Sequence, residues 1–350
     1  MGEKPCVLQS VRKIDMKIIT IEEHYADKQI IDAVRKYGDP SYMTELSDQV
    51  RIAYNGMRFT GDKLTDVDTV RFDFMREQKV DMQVLSYTNP VPDTVPPQEA
   101  VQICREANDI LADVVKKHPD RFAAFATLPM ADPIEAAKEL ERCVKEYGFV
   151  GALITGTYQG ELYDDPMFFP IFEKAAELDV AISWHPEFPD AKIQNYYYLS
   201  DNYPQITGMQ FATAGFGWHL DVGLHMTRLV LSGIFDKLPN LKFICGHWGE
   251  AVVFMLDRMN QIMQPETTGL KKKVSAYFHE NIWYTPSGIL SKDQFEYMVK
   301  VFGAEHIIWA LDYPYVPFQT CSTEFLMNAD LTDEQKEMIA HKNAEKLLKL

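Results

Sequence analysis

The sequence predicts an α/β fold, a closed (β/α)8 TIM barrel with long βα loops over its C-terminal face. Three observations carry this expectation. Short apolar runs alternate with helical periodicity from Met16 to the end of the chain, which is the pattern of a parallel sheet crossed by helices. The runs are β-branched or aromatic and mostly do not alternate apolar with polar residues, as befits strands buried on both faces. Eight such units follow one another, the number that closes a barrel; an open doubly wound sheet is the alternative arrangement.

The strands are expected at 17–22 (KIITIE), 80–86 (VDMQVLS), 121–127 (RFAAFAT), 149–154 (FVGALI), 180–184 (VAISW), 241–245 (LKFIC), 281–285 (NIWYT) and 306–311 (HIIWAL). Helical patterns fall at about 66–78, 98–117, 133–147, 166–178, 219–236, 249–263, 290–301 and 332–348. Asp132-Pro133 and Asp165-Pro166 each set a capping carboxylate before a proline suited to the first helical turn. The segments KLPN (237–240) and HPD (118–120) are stops ahead of the next strand. Two connections are long, 25–65 and 186–218. Both follow strands, which in a barrel puts them over the C-terminal mouth. The second carries Tyr196, Tyr197, Tyr198, Tyr203, Phe211, Phe216 and Trp218, which suit either a pocket wall or a subunit interface. Residues 1–15 precede the first strand and read as an appendage to one barrel domain, 16–350.

A chain of 350 residues, 46% of them hydrophobic, has ample material for one large core. Its 51 acidic and 35 basic residues give a formal net charge of −16. That charge repels phosphate backbones and anionic lipid, so nucleic-acid and membrane partners are not expected. No apolar run reaches the length of about 18 residues that a transmembrane helix needs, and the N-terminus lacks a signal peptide's apolar stretch. The five cysteines include no C-x-x-C pair; an odd, scattered set in a chain of this size reads as reduced thiols in the cytoplasm.

Chemistry gathers where strands end. The first ends in Glu22-Glu23-His24 and the fifth in His185-Pro186. The sixth runs into His247-Trp248-Gly249-Glu250 and the eighth into Asp312-Tyr313-Pro314. Alternation along a strand sends Glu22 and His24 to one side and Glu23 to the other. If the first two face the axis, Glu22, His24, His185 and Asp312 converge at the mouth, because the first and eighth strands of a closed barrel are neighbours. Singly, such a histidine is commonly structural and an Asp before Tyr-Pro a turn former. Their shared position at strand ends is what points to a metal centre. Arg258 lies eight residues after Glu250, on the same face of an expected helix, placed to orient Glu250 or a substrate carboxylate; a solvated arginine is the alternative. His225 is expected to pack within a helix, and His118, His279, His306 and His341 to sit at element edges on the surface.

These motifs resemble the amidohydrolase superfamily, and within it the branch of non-oxidative decarboxylases that includes γ-resorcylate, 2,3-dihydroxybenzoate and, more distantly, aminocarboxymuconate semialdehyde decarboxylases. The likeness runs from Met16 onward. It is carried by IEEH (21–24), RFAAFATLPMADP (121–133), GFVGALI (148–154), WHP (184–186), LSGIFDKLPNLKFICGHWGE (231–250), NIWYTPSG (281–288), LDYP (311–314) and the closing NAEKLLKL. The resemblance implies that Glu22, His24, His185 and Asp312 bind one divalent metal, and that His247 and Glu250 are catalytic partners beside it. Hydrolytic members of the superfamily usually open with H-x-H, and many carry a fourth-strand lysine that bridges two metals. Here that strand ends L-I-T-G-T at 153–157, so one ion per chain is expected, zinc or manganese.

The reaction so implied is loss of CO2 from a small hydroxylated aromatic or similar carboxylic acid, with Asp312 as proton donor and His247, polarised by Glu250, on the phenolic oxygen. The alternative is metal-dependent hydrolysis of a lactone or amide, with Asp312 as base. The aromatic stretch 196–218 is too apolar to leave wholly in water, and a homodimer or larger homo-oligomer is expected.

Overall fold

The computed structural model describes residues 16–43, 46–48, 50–51, 61–87, 91 and 93–350. The expected appendage, 1–15, lies outside the described residues. The strands are β1 (Ile19–Tyr25), β2 (Met82–Tyr87), β3 (Phe122–Ala124, resumed at Ala126–Thr127), β4 (Gly151–Thr155), β5 (Ala181–His185), β6 (Lys242–Cys245) and β7 (Ile282–Tyr284). All their pairings are parallel. The interruption of β3 falls at Phe125, whose N–H donates to Leu85 O at 2.9 Å, and Val150 N–H donates to Ala124 O at 3.0 Å. Residues 307–310 form the last stave, bridging Tyr284 through Ile307 and Ile21 through Ala310. With that the barrel closes on β1, as the eight apolar runs predicted.

Strand alternation sorts the core into two layers. Ile19, Ile21, Val84, Phe125, Leu153, Ile244 and Ile308 belong to one buried cluster inside the barrel. Leu85, Phe122, Ile182, Phe243 and Trp309, from the same strands, join the larger cluster beneath the helices. A Cβ at Gly151 would stand 2.1 Å from Ala181 O, so only glycine lets β4 approach β5 this closely.

The helices that matter below are α1 (Val70–Gln78), α2 (Pro133–Tyr147), α3 (Phe169–Leu178), α4 (Gly217–Leu231) and α5 (Leu256–Ile262). Both predicted caps form: Asp132 accepts from Glu135 N–H at 3.1 Å to open α2, and Asp165 accepts from Met167 N–H at 2.8 Å just before α3. The expected helix 219–236 breaks at Gly233, whose φ is 72°.

The connection 186–218 contains helical turns at Ala191–Ile193, Gln194–Tyr198 and Gln205–Ala212. Phe188 and Met209 from it bury against Met43, Leu46 and Val50 from the other long connection, with Leu199 and Trp218 packed alongside. The two connections therefore cover the mouth together. Among the described residues no helix is long and apolar enough to cross a membrane.

Candidate metal centre

β1 delivers its side chains by a device that simple alternation does not contain. Ile19 and Ile21 face the barrel interior, so strict alternation would next turn Glu23 inward. Instead the β1–β2 register slips between Thr20↔Gln83 and Glu23↔Leu85, and Glu22 adopts φ 63°. One extra residue on β1 is a bulge, and bulges re-aim side chains. Glu22 and His24 turn inward and Glu23 turns toward α1. The expected facing holds, but by a left-handed residue rather than by the pleat.

His24, His185 and Asp312 each offer a ligand atom, all within 4.8 Å of one another. His24 Nε2 lies 3.1 Å from Asp312 Oδ1, and the His24 and His185 rings meet edge-on at 4.6 Å. Glu22 is buried beside them but outside that set: its Oε2 accepts from Thr285 Oγ1 at 3.1 Å and from Ser287 Oγ. Burial holds the Glu22 carboxyl above its usual range, with Asp312 adding to the rise against His247. Burial pushes the His185 imidazole down to about 3, with His24 adding to the effect, so it is a neutral nitrogen donor. Two imidazoles and two buried carboxyl groups are a donor set for a borderline divalent ion, and buried carboxylates need a cation nearby.

His247 and Glu250 stand next to this group. His247 Nδ1 is 2.6 Å from Glu250 Oε1, and His247 Nε2 is 3.9 Å from Asp312 Oδ2. Burial opposes charge on all three, yet their mutual attraction overrides it. The His247 imidazole is held well above its ordinary range by Glu250 and Asp312, and Glu250 is held down to about 2 by His247 and His219. Asp312 lies below the usual carboxylate range through its hydrogen bond to His24 and the attraction of His247, which together outweigh burial. Glu22, His247, Glu250, Ser287 and Asp312 all have positive φ. For residues other than glycine each such conformation costs roughly 1–3 kcal/mol, and they concentrate where function holds them.

Two expectations need correction. The helix expected over 249–263 does not start at Glu250, because Trp248, Gly249, Glu250 and Ala251 are all left-handed and α5 begins only at Leu256. Arg258 therefore shares no helix face with Glu250, and it is exposed. Sequence reasoning also missed three residues. His219, at the start of α4, puts Nδ1 2.6 Å from Glu250 Oε2 and Nε2 3.0 Å from Ala214 O. Thr285 and Ser287 hold Glu22; their signal was the polar T-P-S-G run just past β7. His225, as expected, is buried and packs against Trp184.

The chain belongs to the amidohydrolase family, whose profile matches residues 61–350. It is 34% identical to the decarboxylase orsB of Emericella nidulans, with 95% of this chain and 97% of that protein covered. It is 31% identical to a gamma-resorcylate decarboxylase of Rhodococcus jostii, with 95% and 98% covered. Among solved structures it is similar to a dihydroxybenzoic acid decarboxylase from Polaromonas sp. JS666, which holds manganese and the inhibitor 2-nitroresorcinol. That likeness has a TM-score of 0.81 at 29% identity and covers 96% of this chain and 97% of the other. The family and the branch expected from the strand-end motifs are the ones found.

Proposed function

We propose that this chain is a metal-dependent, non-oxidative decarboxylase of an aromatic acid with a hydroxyl ortho to its carboxylate. The observation that carries the reading is the convergence of His24, His185 and Asp312 with the His247–Glu250 pair 3.9 Å from Asp312. Glu22, His24, His185 and Asp312 would hold one divalent ion, with manganese favoured by the related structure that carries it. When bound, the ion supplies positive charge that neutralises an anionic substrate and fixes its oxygens.

The chain's own groups then manage one proton. Breaking the bond to the carboxylate leaves its electron pair on the ring carbon, which must take a proton as CO2 departs. Asp312 is the donor in this reading. The free site favours its ionised form, but an approaching anionic substrate raises its proton affinity. It therefore takes a proton from solvent as substrate binds and passes that proton to the ring carbon, while His247 beside it keeps its own. Glu250 keeps His247 oriented and charged, and His247 stabilises negative charge building on the phenolic oxygen. Arg258 has no part in this mechanism.

We further infer a homodimer or larger assembly in the cytoplasm. Tyr196 and Tyr197 meet ring to ring at 5.1 Å and are 82% and 62% exposed, apolar surface suited to a second subunit. Cys104, Cys143, Cys245 and Cys321 are free thiols, which suits a reducing compartment. The test of the function is CO2 detection across a panel of hydroxylated benzoates with metal-analysed protein. Release from an ortho-hydroxylated member supports it, and silence across the panel opposes it.

A further inference from the structure

On the outer side of β1 lies a buried polar group that the proposed mechanism leaves unused. Arg71 of α1, Gln83 of β2 and Glu23 of β1 are all fully buried. Such groups are retained in a core with most of their hydrogen bonds made. Arg71 Nη1 donates to Gln83 Oε1 at 3.2 Å, Gln83 Nε2 donates to Glu23 Oε2 at 2.8 Å, and Glu23 Oε1 accepts from Leu311 N–H at 3.0 Å. Arg71 Nη2 also donates to the main-chain oxygen of His24, and its guanidinium lies 4.5 Å over the Tyr313 ring.

The ends of this chain of contacts fall on particular residues. One end grips the carbonyl of His24. That same Arg71 end lies over the ring of Tyr313, and the Glu23 end holds the N–H of Leu311, so both neighbours of Asp312 are held. Among the described residues the stave that carries Asp312 has a short ladder with β1, the bridge Ile21↔Ala310 with Ile21 N–H on Trp309 O at 3.1 Å and His24 N–H on Tyr313 O at 2.8 Å. Beyond the bulge at Glu22, β1 keeps its ladder with β2 through Tyr25 but meets the Asp312 stave through little main-chain pairing, and side chains supply what that ladder does not.

We propose that Arg71, Gln83 and Glu23 are positioning residues: a buried bracket that holds His24 and Asp312 at the spacing of metal ligands. The inference rests on the reading of those two residues as ligands. The bracket touches no substrate. It acts by keeping His24 Nε2 and Asp312 Oδ1 close before an ion arrives, and groups that orient metal ligands in this way typically contribute about 10–100-fold in affinity.

An exchange of side chains tests it. In Glu23→Gln the amide at 23 opposes the amide of Gln83 with two donors, so one link breaks. In Gln83→Glu two carboxyl groups face each other. In the double variant Glu23→Gln/Gln83→Glu the links can all form again: the carboxylate at 83 accepts from Arg71 and from the amide at 23, whose oxygen accepts Leu311 N–H. Manganese affinity is read by electron paramagnetic resonance of the free ion, alongside the thermal midpoint of the metal-free protein. Each single variant is expected to bind manganese about 10–100-fold more weakly, and the double variant to recover most of the loss. Single variants that bind as tightly as the parent overturn the proposal, as does a double variant that fails to fold or binds no better than the weaker single. His24→Ala is the control. Undiminished manganese binding there shows that the ligand assignment is wrong, which is a different failure from that of the bracket.

Discussion

His24 Nε2 and Asp312 Oδ1 lie 3.1 Å apart, although 288 positions separate them in the chain. The contact exists because β1 and the stave at 307–310 are where the barrel closes, and because Glu22 bulges to turn His24 inward. It places an imidazole and a carboxylate, each at a strand end, on one point at the mouth.

Metal content follows from that geometry. Dialysed protein should carry about one divalent ion per chain, since β4 ends without a lysine to bridge a second. His185→Ala should lower metal content more than His247→Ala, because His247 stands outside the proposed ligand set. Elemental analysis of the two variants checks both statements; equal losses would put His247 among the ligands.

Asp312→Asn should keep the fold and retain some metal yet lose turnover, because an amide cannot donate as an acid. His247→Ala should cost on the order of 10²–10⁴ in rate, the usual scale for a positioned acid–base group. Steady-state rates beside circular dichroism separate lost chemistry from lost structure.

His219→Ala leaves one oxygen of the buried Glu250 carboxylate without its imidazole. A hydrogen bond to a buried charge contributes roughly 1.5–3 kcal/mol, and urea unfolding should register a loss of that size. The rate should fall less than in His247→Ala, since His219 bears on the proposed mechanism only indirectly, through Glu250 and the flank of the His247 ring. An unchanged urea midpoint would mean that His219 does not pair with Glu250 in solution.

Asp221 and His225 give a pH dependence whose sign can be worked out. Burial pushes Asp221 up to about 7 and His225 down to about 4. Between about pH 4 and 7 the folded chain keeps a proton on Asp221 that the unfolded chain has lost, so this group's contribution falls as pH rises. Asp221→Asn removes that slope. Relative to the parent, the variant should therefore gain stability from pH 4.5 to 6.5, measured as urea midpoints at both values; a constant difference would contradict the shift.

Much of the fold was legible because barrel strands are buried on both faces and announce themselves as apolar runs, while Asp-Pro pairs announce helix starts. The candidate ligands were legible for the same reason, standing where those runs stop. Positive φ leaves no such trace. Alternation put Glu22 and His24 on one side without fixing which; Ile19 and Ile21 face inward, so an unbroken pleat would have turned both outward, and the bulge turns them in. The same blindness extended a helix through 248–251 and put Arg258 on the wrong face. His219 and Ser287 lie far along the chain from Glu250 and Glu22, and only tertiary structure pairs them.

The central claim is tested most directly by turning over ortho-hydroxylated benzoates with manganese-loaded protein in heavy water. The account predicts CO2 release and a product with one deuterium at the carbon that lost it. Hydrolysis of lactones or amides by the same active preparation, with no CO2 from any such acid, would contradict it.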